Sequence, residues 1–168
     1  LRAIRFAARF DFQIDPATWS ALCAHAADIH AVSAERIREE LVKILSHPNR
    51  VRGFDLLDHS GLLREILPEI EDLKGCEQPP QFHPEGDVFV HTRAMLGLLP
   101  PGAPASVVLS VLFHDIGKPP TFRYHADEDR IRFSGHDRVG ADMTERVMER
   151  LRFSRAETER VVEAVRQH

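Results

Sequence analysis

The sequence has little cysteine and no long apolar run, and both features exclude classes of protein. Its two cysteines, Cys23 and Cys76, lie far apart and form no CxxC pair, so we expect neither a disulfide framework nor an oxidising compartment. No apolar run approaches the ~20 residues needed to cross a bilayer, and no secretory signal opens the chain. A cytoplasmic protein without a membrane partner is the expectation.

The sequence also lacks a strong charge of one sign. The formal net charge is -4, so no overall basic field indicates nucleic acid, although a local basic face is compatible with this balance. Hydrophobic residues make up 43% of the 168 positions, which is enough for a buried core in one large or two small domains. Both ends fall inside helical patterns, and we expect a fragment of a longer protein.

Helical periodicity and capping signals predict an all-α protein. Helices are predicted over residues 1–10, after Asp15, from Ser33 to Pro48, over 51–59, 88–99 and 105–114, and in two closing segments. Asp15 and Ser33 are expected to cap the helices that follow them, and Ser154 with Glu157 forms a predicted capping box. Residues 119–134 are irregular, and residues 130–133 suggest a short ribbon.

Residues 75–86 break the helical periodicity with glycine, proline and polar residues. This segment is the best candidate for an internal boundary. We therefore predict a first helical region of residues 1–75 and a second helical region of residues 80–168.

Ten histidines are spread along the chain, and most of them lack a pattern that indicates a site. Four are expected to be surface or cap residues: His25, His30, His47 and His59. His83 and His125 fall in predicted loops near the site described next, and their role stays open.

His114 and Asp115 stand out because they end an almost purely apolar predicted helix. A charge at the end of a buried run needs a partner, since burying an unpaired charge is costly. Imidazole beside carboxylate suits a divalent metal ion. Gly117 would let the backbone turn sharply, and Lys118 would then face outward toward an anion. For the dipeptide alone, a helix end that only contacts neighbouring caps is an equal alternative.

Three further histidines bracket this buried helix. His91 interrupts the apolar face of the preceding predicted helix, His136 stands at a helix start, and His168 ends the last helical run. Taken singly, His136 and His168 would more often be structural. Together with the His-Asp pair, the three favour a metal site.

The series His91, His114-Asp115-Ile116-Gly117-Lys118 and Ser134-Gly135-His136 resembles the HD superfamily of metal-dependent phosphohydrolases. By that resemblance, His91, His114 and Asp115 would hold one metal ion. Asp115 would bridge to a second ion, completed by His136 and His168. The superfamily's last aspartate ligand comes in a following helix, which leaves open whether the first metal site is complete in this chain.

The resemblance implies hydrolysis of a phosphate ester with one or two divalent ions. Two ions that share a carboxylate can lower the pKa of a bound water and direct it at phosphorus. Lys118 would offset charge on the phosphoryl oxygens, so Asp115 and Lys118 are the predicted catalytic residues. The ligand types suit manganese, nickel, iron, zinc, cobalt or magnesium and do not choose among them.

The first region resembles the neck of class II tRNA nucleotidyltransferases and bacterial poly(A) polymerases. The resemblance rests on residues 1–10, on Ile14-Asp15-Pro16, on residues 33–41, and on Gly61-Leu62-Leu63 with Leu67-Pro68. A fused HD domain is a known arrangement in this family, so the resemblance covers essentially the whole chain. It implies neck and body helices in residues 1–75 and an HD domain, truncated at its C-terminus, in residues 80–168.

That family's catalytic head has no counterpart in this sequence, so no nucleotide addition is expected from this chain. In the parent protein, Arg2, Arg5 and Arg9 would lie against the nucleotide-selecting site or an RNA backbone, and a solvated face is an equal alternative. The implied partners are RNA, with the 3′ end of tRNA for the full-length protein, and a phosphoester substrate.

The predicted function is thus that of a nucleotidyltransferase fragment whose HD domain hydrolyses RNA-end or nucleotide phosphoesters. Two alternatives stay open. The chain could be a non-catalytic RNA-binding or scaffold region. It could also be the body of a nucleotidyltransferase whose activity lay wholly in the catalytic head. The choice between a CCA-adding and a poly(A) parent, and the oligomeric state, also stay open.

Overall fold

The computed structural model describes residues 1–78, 86–128 and 130–168, and these form eleven α-helices and one two-stranded ribbon. The all-α fold class predicted from the sequence is confirmed. The ribbon pairs β1 (Arg123–His125) antiparallel with β2 (Arg130–Arg132) and places Tyr124 opposite Ile131. Within the described part of the chain, no helix has both the length and the apolarity to span a bilayer.

The helices lie on both sides of residues 79–85, and the division of the chain into two regions stays a prediction. The first region contains α1 (Arg2–Phe10), α2 (Pro16–Ala24), a 3-10 helix (Ala26–Ala31), α3 (Ala34–Leu45), α4 (Arg50–His59), α5 (Leu62–Ile66) and α6 (Pro68–Glu71). The second contains α7 (Val88–Leu98), α8 (Ala105–Phe113), α9 (Lys118–Thr121), a 3-10 helix (Ala126–Glu128), α10 (His136–Arg150) and α11 (Arg155–Arg166). Most of the predicted boundary segment, residues 79–85, lies outside the described residues, as does His83.

Two of the three predicted caps are confirmed. Asp15 accepts hydrogen bonds from the backbone of Ala17 and Thr18 at 3.1 Å each, which satisfies two N–H groups that the first turn of α2 leaves unpaired. Ser154 and Glu157 form the predicted capping box at α11. Ser33 stands at the N-cap of α3, but its side chain makes no capping hydrogen bond, so that prediction is wrong.

Helix α8 lies at the centre of the second region and carries the His-Asp pair at its end. It packs against α3, α7 and α11. Its buried face consists of Val108, Leu109, Leu112 and Phe113. Val107 on the opposite face is 42% exposed, so the helix is buried on one side only. Its buried C-terminal turn places the residues that follow it inside the protein.

Arg50, at the start of α4, is only 2% exposed and joins two helix ends. Its Nε donates to the carbonyl of Leu45 at 3.0 Å, and its Nη atoms donate to the carbonyls of Leu99 at 2.7 Å and Pro100 at 3.2 Å. A further bond reaches Leu96 at 3.4 Å. Carbonyls at a helix C-terminus carry partial negative charge, so the ends of α3 and α7 together stabilise the buried cation.

Other contacts extend this junction between the regions. Phe54 packs on Phe89 with ring centroids 5.2 Å apart, and Arg93 forms a two-pronged ion pair with Asp55 at 2.6 Å for both bonds. We call these contacts, together with those of Arg50, the α4–α7 seam. The seam fixes α7, and therefore His91, against the first region.

Candidate metal centre

Five side chains from four segments converge beyond the end of α8. His91 lies on α7, His114 caps α8, Asp115 follows it, His136 opens α10, and His168 follows α11. Asp115 is 0% exposed and stands in the middle of the group. The structure therefore brings together all five residues that the sequence assigned to metal binding; their role as ligands stays a prediction.

The two carboxylate oxygens of Asp115 divide the histidines into two pairs. Oδ2 lies 3.1 Å from His114 Nε2 and 4.0 Å from His91 Nε2. Oδ1 lies 3.6 Å from His168 Nε2 and 3.8 Å from His136 Nε2. In each set of three residues the candidate ligand atoms all lie within 4.8 Å of one another. The arrangement is two three-ligand groups that share one carboxylate.

Backbone carbonyls orient two of the imidazoles. His114 Nδ1 lies 2.6 Å from the carbonyl of Val111, and His136 Nδ1 lies 2.9 Å from the carbonyl of Phe133. A carbonyl only accepts, so each Nδ1 carries the proton, and in the neutral ring Nε2 presents a lone pair. A lone pair that faces a carboxylate is repelled unless a cation lies between them. These donors therefore fit a divalent metal ion.

Unpartnered buried atoms support the same fit. Both oxygens of Asp115 and Nε2 of His114 are buried without a hydrogen-bond partner among the described residues. Burying such atoms without a partner costs about 1–3 kcal/mol each. A bound cation would satisfy all three atoms at once.

The carboxyl of Asp115 is held in its ionised form. Burial by itself would raise the pKa of Asp115, but the neighbouring His114, His168 and Lys118 outweigh burial and hold this pKa well below its ordinary value. The site therefore contains a buried carboxylate anion at its centre.

The expectation that Lys118 faces outward is wrong. The residue is 6% exposed, and Nζ lies 2.8 Å from Asp115 Oδ2 in an ion pair that lacks hydrogen-bond alignment. Nζ also donates to Gln78 Oε1 at 2.6 Å. The reason is that α9 begins at Lys118, and its turn directs the side chain back toward the residue three positions earlier. The ammonium lies inside the site.

Gln78 is a residue that sequence reasoning missed. It lies in the segment that breaks helical periodicity, where no repeat distinguishes a buried position from an exposed one. Its contact with Lys118 joins residues 40 positions apart, which no local pattern reports.

Gly117 serves a different purpose from the one expected. Its φ of -80° and ψ of -11° are ordinary right-handed helical values, so no turn at this position requires glycine. A Cβ at Gly117 would overlap the carbonyl oxygen of His136 and lie 2.6 Å from the Gly140 nitrogen. Glycine is needed because α10 passes directly against this backbone, and that contact brings His136 to Asp115.

Among the described residues, five further histidines belong to neither ligand group. His25, His30 and His59 are exposed, and His47 is half-buried and accepts a hydrogen bond from the Asn49 backbone, as predicted for surface or cap residues. His125 lies exposed on β1.

The predicted basic face on α1 is only partly displayed. Arg2 and Arg9 are exposed, but the Arg5 side chain is 14% exposed and its Nε donates to Glu40 at 2.7 Å. The expectation that all three arginines present their charge is wrong for Arg5, because α3 places a carboxylate beside it.

Two family profiles match the chain. One, described as "Probable RNA and SrmB- binding site of polymerase A", matches residues 11–74, and the other, described as "HD domain", matches residues 87–168. Together they cover the helices of both regions except α1.

Curated relatives match along the whole chain. The A-adding tRNA nucleotidyltransferase of Deinococcus radiodurans is 37% identical over 175 residues, which is 99% of this chain and 40% of that protein. The CC-adding tRNA nucleotidyltransferase of Thermus thermophilus is 37% identical over 100% of this chain and 40% of that protein. The Multifunctional CCA protein of Halorhodospira halophila is 37% identical over 100% of this chain and 41% of that protein. The chain spans about two fifths of the length of these relatives.

Proposed function

Because the chain belongs to the family of tRNA nucleotidyltransferases and poly(A) polymerases, we propose that it comprises the RNA-binding and HD regions of such an enzyme. We further propose that its HD region hydrolyses phosphate esters at RNA ends or in nucleotides, with one or two divalent ions. The observation that carries this proposal is the buried Asp115 carboxylate, each of whose oxygens lies near two histidines.

The residues of the site would take distinct roles. His91, His114 and Asp115 would hold one ion, and Asp115, His136 and His168 a second. When bound, such ions supply a Lewis acid and lower the pKa of a water molecule. The carbonyls of Val111 and Phe133 fix the imidazole orientations, and the Lys118 ammonium lies where it can offset phosphoryl charge.

The first region would supply RNA contacts. We propose a division into neck and body helices over residues 1–75 and an HD domain over residues 80–168. The relatives are named as tRNA nucleotidyltransferases, so tRNA is the proposed RNA partner. Arg2 and Arg9 are exposed to reach an RNA backbone, whereas Arg5 is paired with Glu40. Nucleotide addition is not proposed for this chain, and the proposed location is the cytoplasm.

Metal loading and turnover test the hydrolase proposal together. The protein is stripped with a chelator and reloaded separately with manganese, nickel, iron, zinc, cobalt or magnesium. Elemental analysis then measures bound metal, and 2′,3′-cyclic AMP and bis(p-nitrophenyl) phosphate report hydrolysis. We expect His114→Ala to lose both metal and turnover, because it removes one of the three candidate ligands of the group formed by His91, His114 and Asp115.

His59→Ala is the matched control, since His59 is exposed and belongs to neither ligand group. It should keep both properties. If the wild-type protein binds none of the ions, the hydrolase proposal is wrong and the non-catalytic RNA-binding alternative takes its place.

A further inference from the structure

We infer that Gln78 and Lys118 together form an anion subsite that binds phosphoryl oxygens beside the metal centre. The inference rests on the proposed function and adds a binding residue, Gln78, from outside the His-Asp pattern. Both side chains are buried, at 5% and 6% exposure, and Nζ of Lys118 donates to Oε1 of Gln78 at 2.6 Å.

Donor chemistry fixes the direction of the Gln78 amide. An ammonium has donors only, so the amide presents its oxygen to Lys118 and turns Nε2 away from it. That Nε2 is buried and has no hydrogen-bond partner among the residues the structure describes. Buried donors are nearly always paired in folded proteins, so an unpaired one indicates a ligand that accepts its hydrogen bond.

The two donors are close enough to hold one phosphate. The oxygen and nitrogen of an amide lie about 2.2 Å apart, so Gln78 Nε2 lies within about 5 Å of Lys118 Nζ. Of the three N–H groups of the ammonium, the bond to Gln78 and the ion pair with Asp115 occupy at most two among the described residues. The third N–H and the Gln78 amide can therefore donate to two oxygens of the same anion.

The backbone before Gln78 is fixed to the helix that carries His91. The N–H of Gly75 donates to the Asp87 carboxylate at 2.7 Å, and the carbonyl of Cys76 accepts from Val88 at 3.1 Å. These bonds hold the segment against the start of α7. The subsite consequently keeps a fixed position relative to the metal ligands.

Phosphate titration tests the subsite directly. Manganese-loaded protein is titrated with inorganic phosphate in a calorimeter, and metal content is measured on the same samples. Gln78→Leu removes the amide, and we expect the phosphate dissociation constant to rise about tenfold with metal content unchanged, since Gln78 belongs to neither ligand group. Gln78→Glu keeps the size of the side chain but adds a negative charge, so the expected loss is larger than tenfold.

Gln13→Glu is the matched control, because it makes the same change at an exposed position in the first region. It should leave phosphate affinity unchanged. With bis(p-nitrophenyl) phosphate, the Gln78 variants should raise KM more than they lower kcat, which a merely structural role would not produce.

Two results would overturn the subsite: metal-loaded wild type that binds no phosphate, or a folded, metal-loaded Gln78→Glu variant that binds phosphate as the wild type does. If Gln78→Leu does not fold, the isosteric Gln78→Glu decides the matter. Phosphate binding that depends on Gln78 without any phosphoester turnover would support the subsite and contradict the proposed hydrolase.

Discussion

Each region contains a charged side chain that is almost completely buried, Arg50 in the first and Asp115 in the second, and the surroundings of these two charges differ. Arg50 in the first region donates to four backbone carbonyls, so its buried donors are well used. Asp115 in the second region has both oxygens buried without a hydrogen-bond partner among the described residues, and four histidines around it. A buried charge whose hydrogen bonds are all made to backbone carbonyls indicates a structural role. A buried carboxylate without hydrogen-bond partners and with imidazoles around it indicates a ligand site.

The largest effect is expected from Arg50→Met. The change leaves the carbonyls at the ends of α3 and α7 buried without donors, which should lower the free energy of unfolding by about 3 kcal/mol or more. Urea denaturation measures it, and Arg155→Met, at an arginine whose side chain is 92% exposed, is the control. If the free energy of unfolding falls no more than in the control, the buried bonds of Arg50 do not stabilise the fold.

Gly117→Ala should come next, because its Cβ would meet the backbone of His136. Forcing α10 away is expected to cost about 1–3 kcal/mol and to weaken metal binding by the group that contains His136. Thermal unfolding and metal titration measure the two effects. At Gly97 a Cβ would meet only a Val51 methyl at 3.3 Å, so Gly97→Ala is a matched control that should be nearly neutral. Equal effects of the two changes would contradict the close-approach account.

A double change, Asp115→Asn with Lys118→Met, should separate function from stability. Replacing a buried ion pair by neutral groups of similar size is often neutral or stabilising by about 1–4 kcal/mol. We therefore expect the chelator-treated double variant to unfold no earlier than chelator-treated wild type, while elemental analysis finds its metal binding lost. Strong destabilisation of the double variant would show that Asp115, like Arg50, stabilises the fold.

The smallest effect is expected at the exposed edge of the α4–α7 seam. Arg93→Ala removes the ion pair with Asp55 and should cost about 0.2–1 kcal/mol, less at high salt, because solvent screens exposed charges. A double-mutant cycle with Asp55→Ala at low and high salt isolates the pair. A coupling energy as large as the effect of Arg50→Met would mean that the exposed ion pair stabilises the seam as much as the buried bonds of Arg50 do.

The sequence predicted the helices and singled out the His-Asp pair, because both depend on local patterns. Hydrophobic period and caps locate α8, and the His-Asp pair at its end is a motif in its own right. His136 and His168 could be added only through the resemblance to a family, since each alone more often has a structural role. The structure brings them to Asp115.

Features that depend on contact between distant segments could not be predicted. The burial of Lys118 depends on Asp115 and Gln78, and the need for glycine at position 117 depends on α10. The burial of Arg50 could not be predicted either. Its sequence neighbourhood, Asn49-Arg50-Val51-Arg52, gives no reason for one arginine to be buried, and only the ends of α3 and α7 supply it.

The bonds of Arg50 also bear on how this chain can be divided. A break in sequence periodicity near residue 80 invites excision of residues 80–168 as a module. Such a piece would carry the carbonyls of Leu96, Leu99 and Pro100 without their guanidinium and the Phe89 ring without its neighbour. We therefore expect a piece that includes α4 to be more stable than residues 80–168 alone.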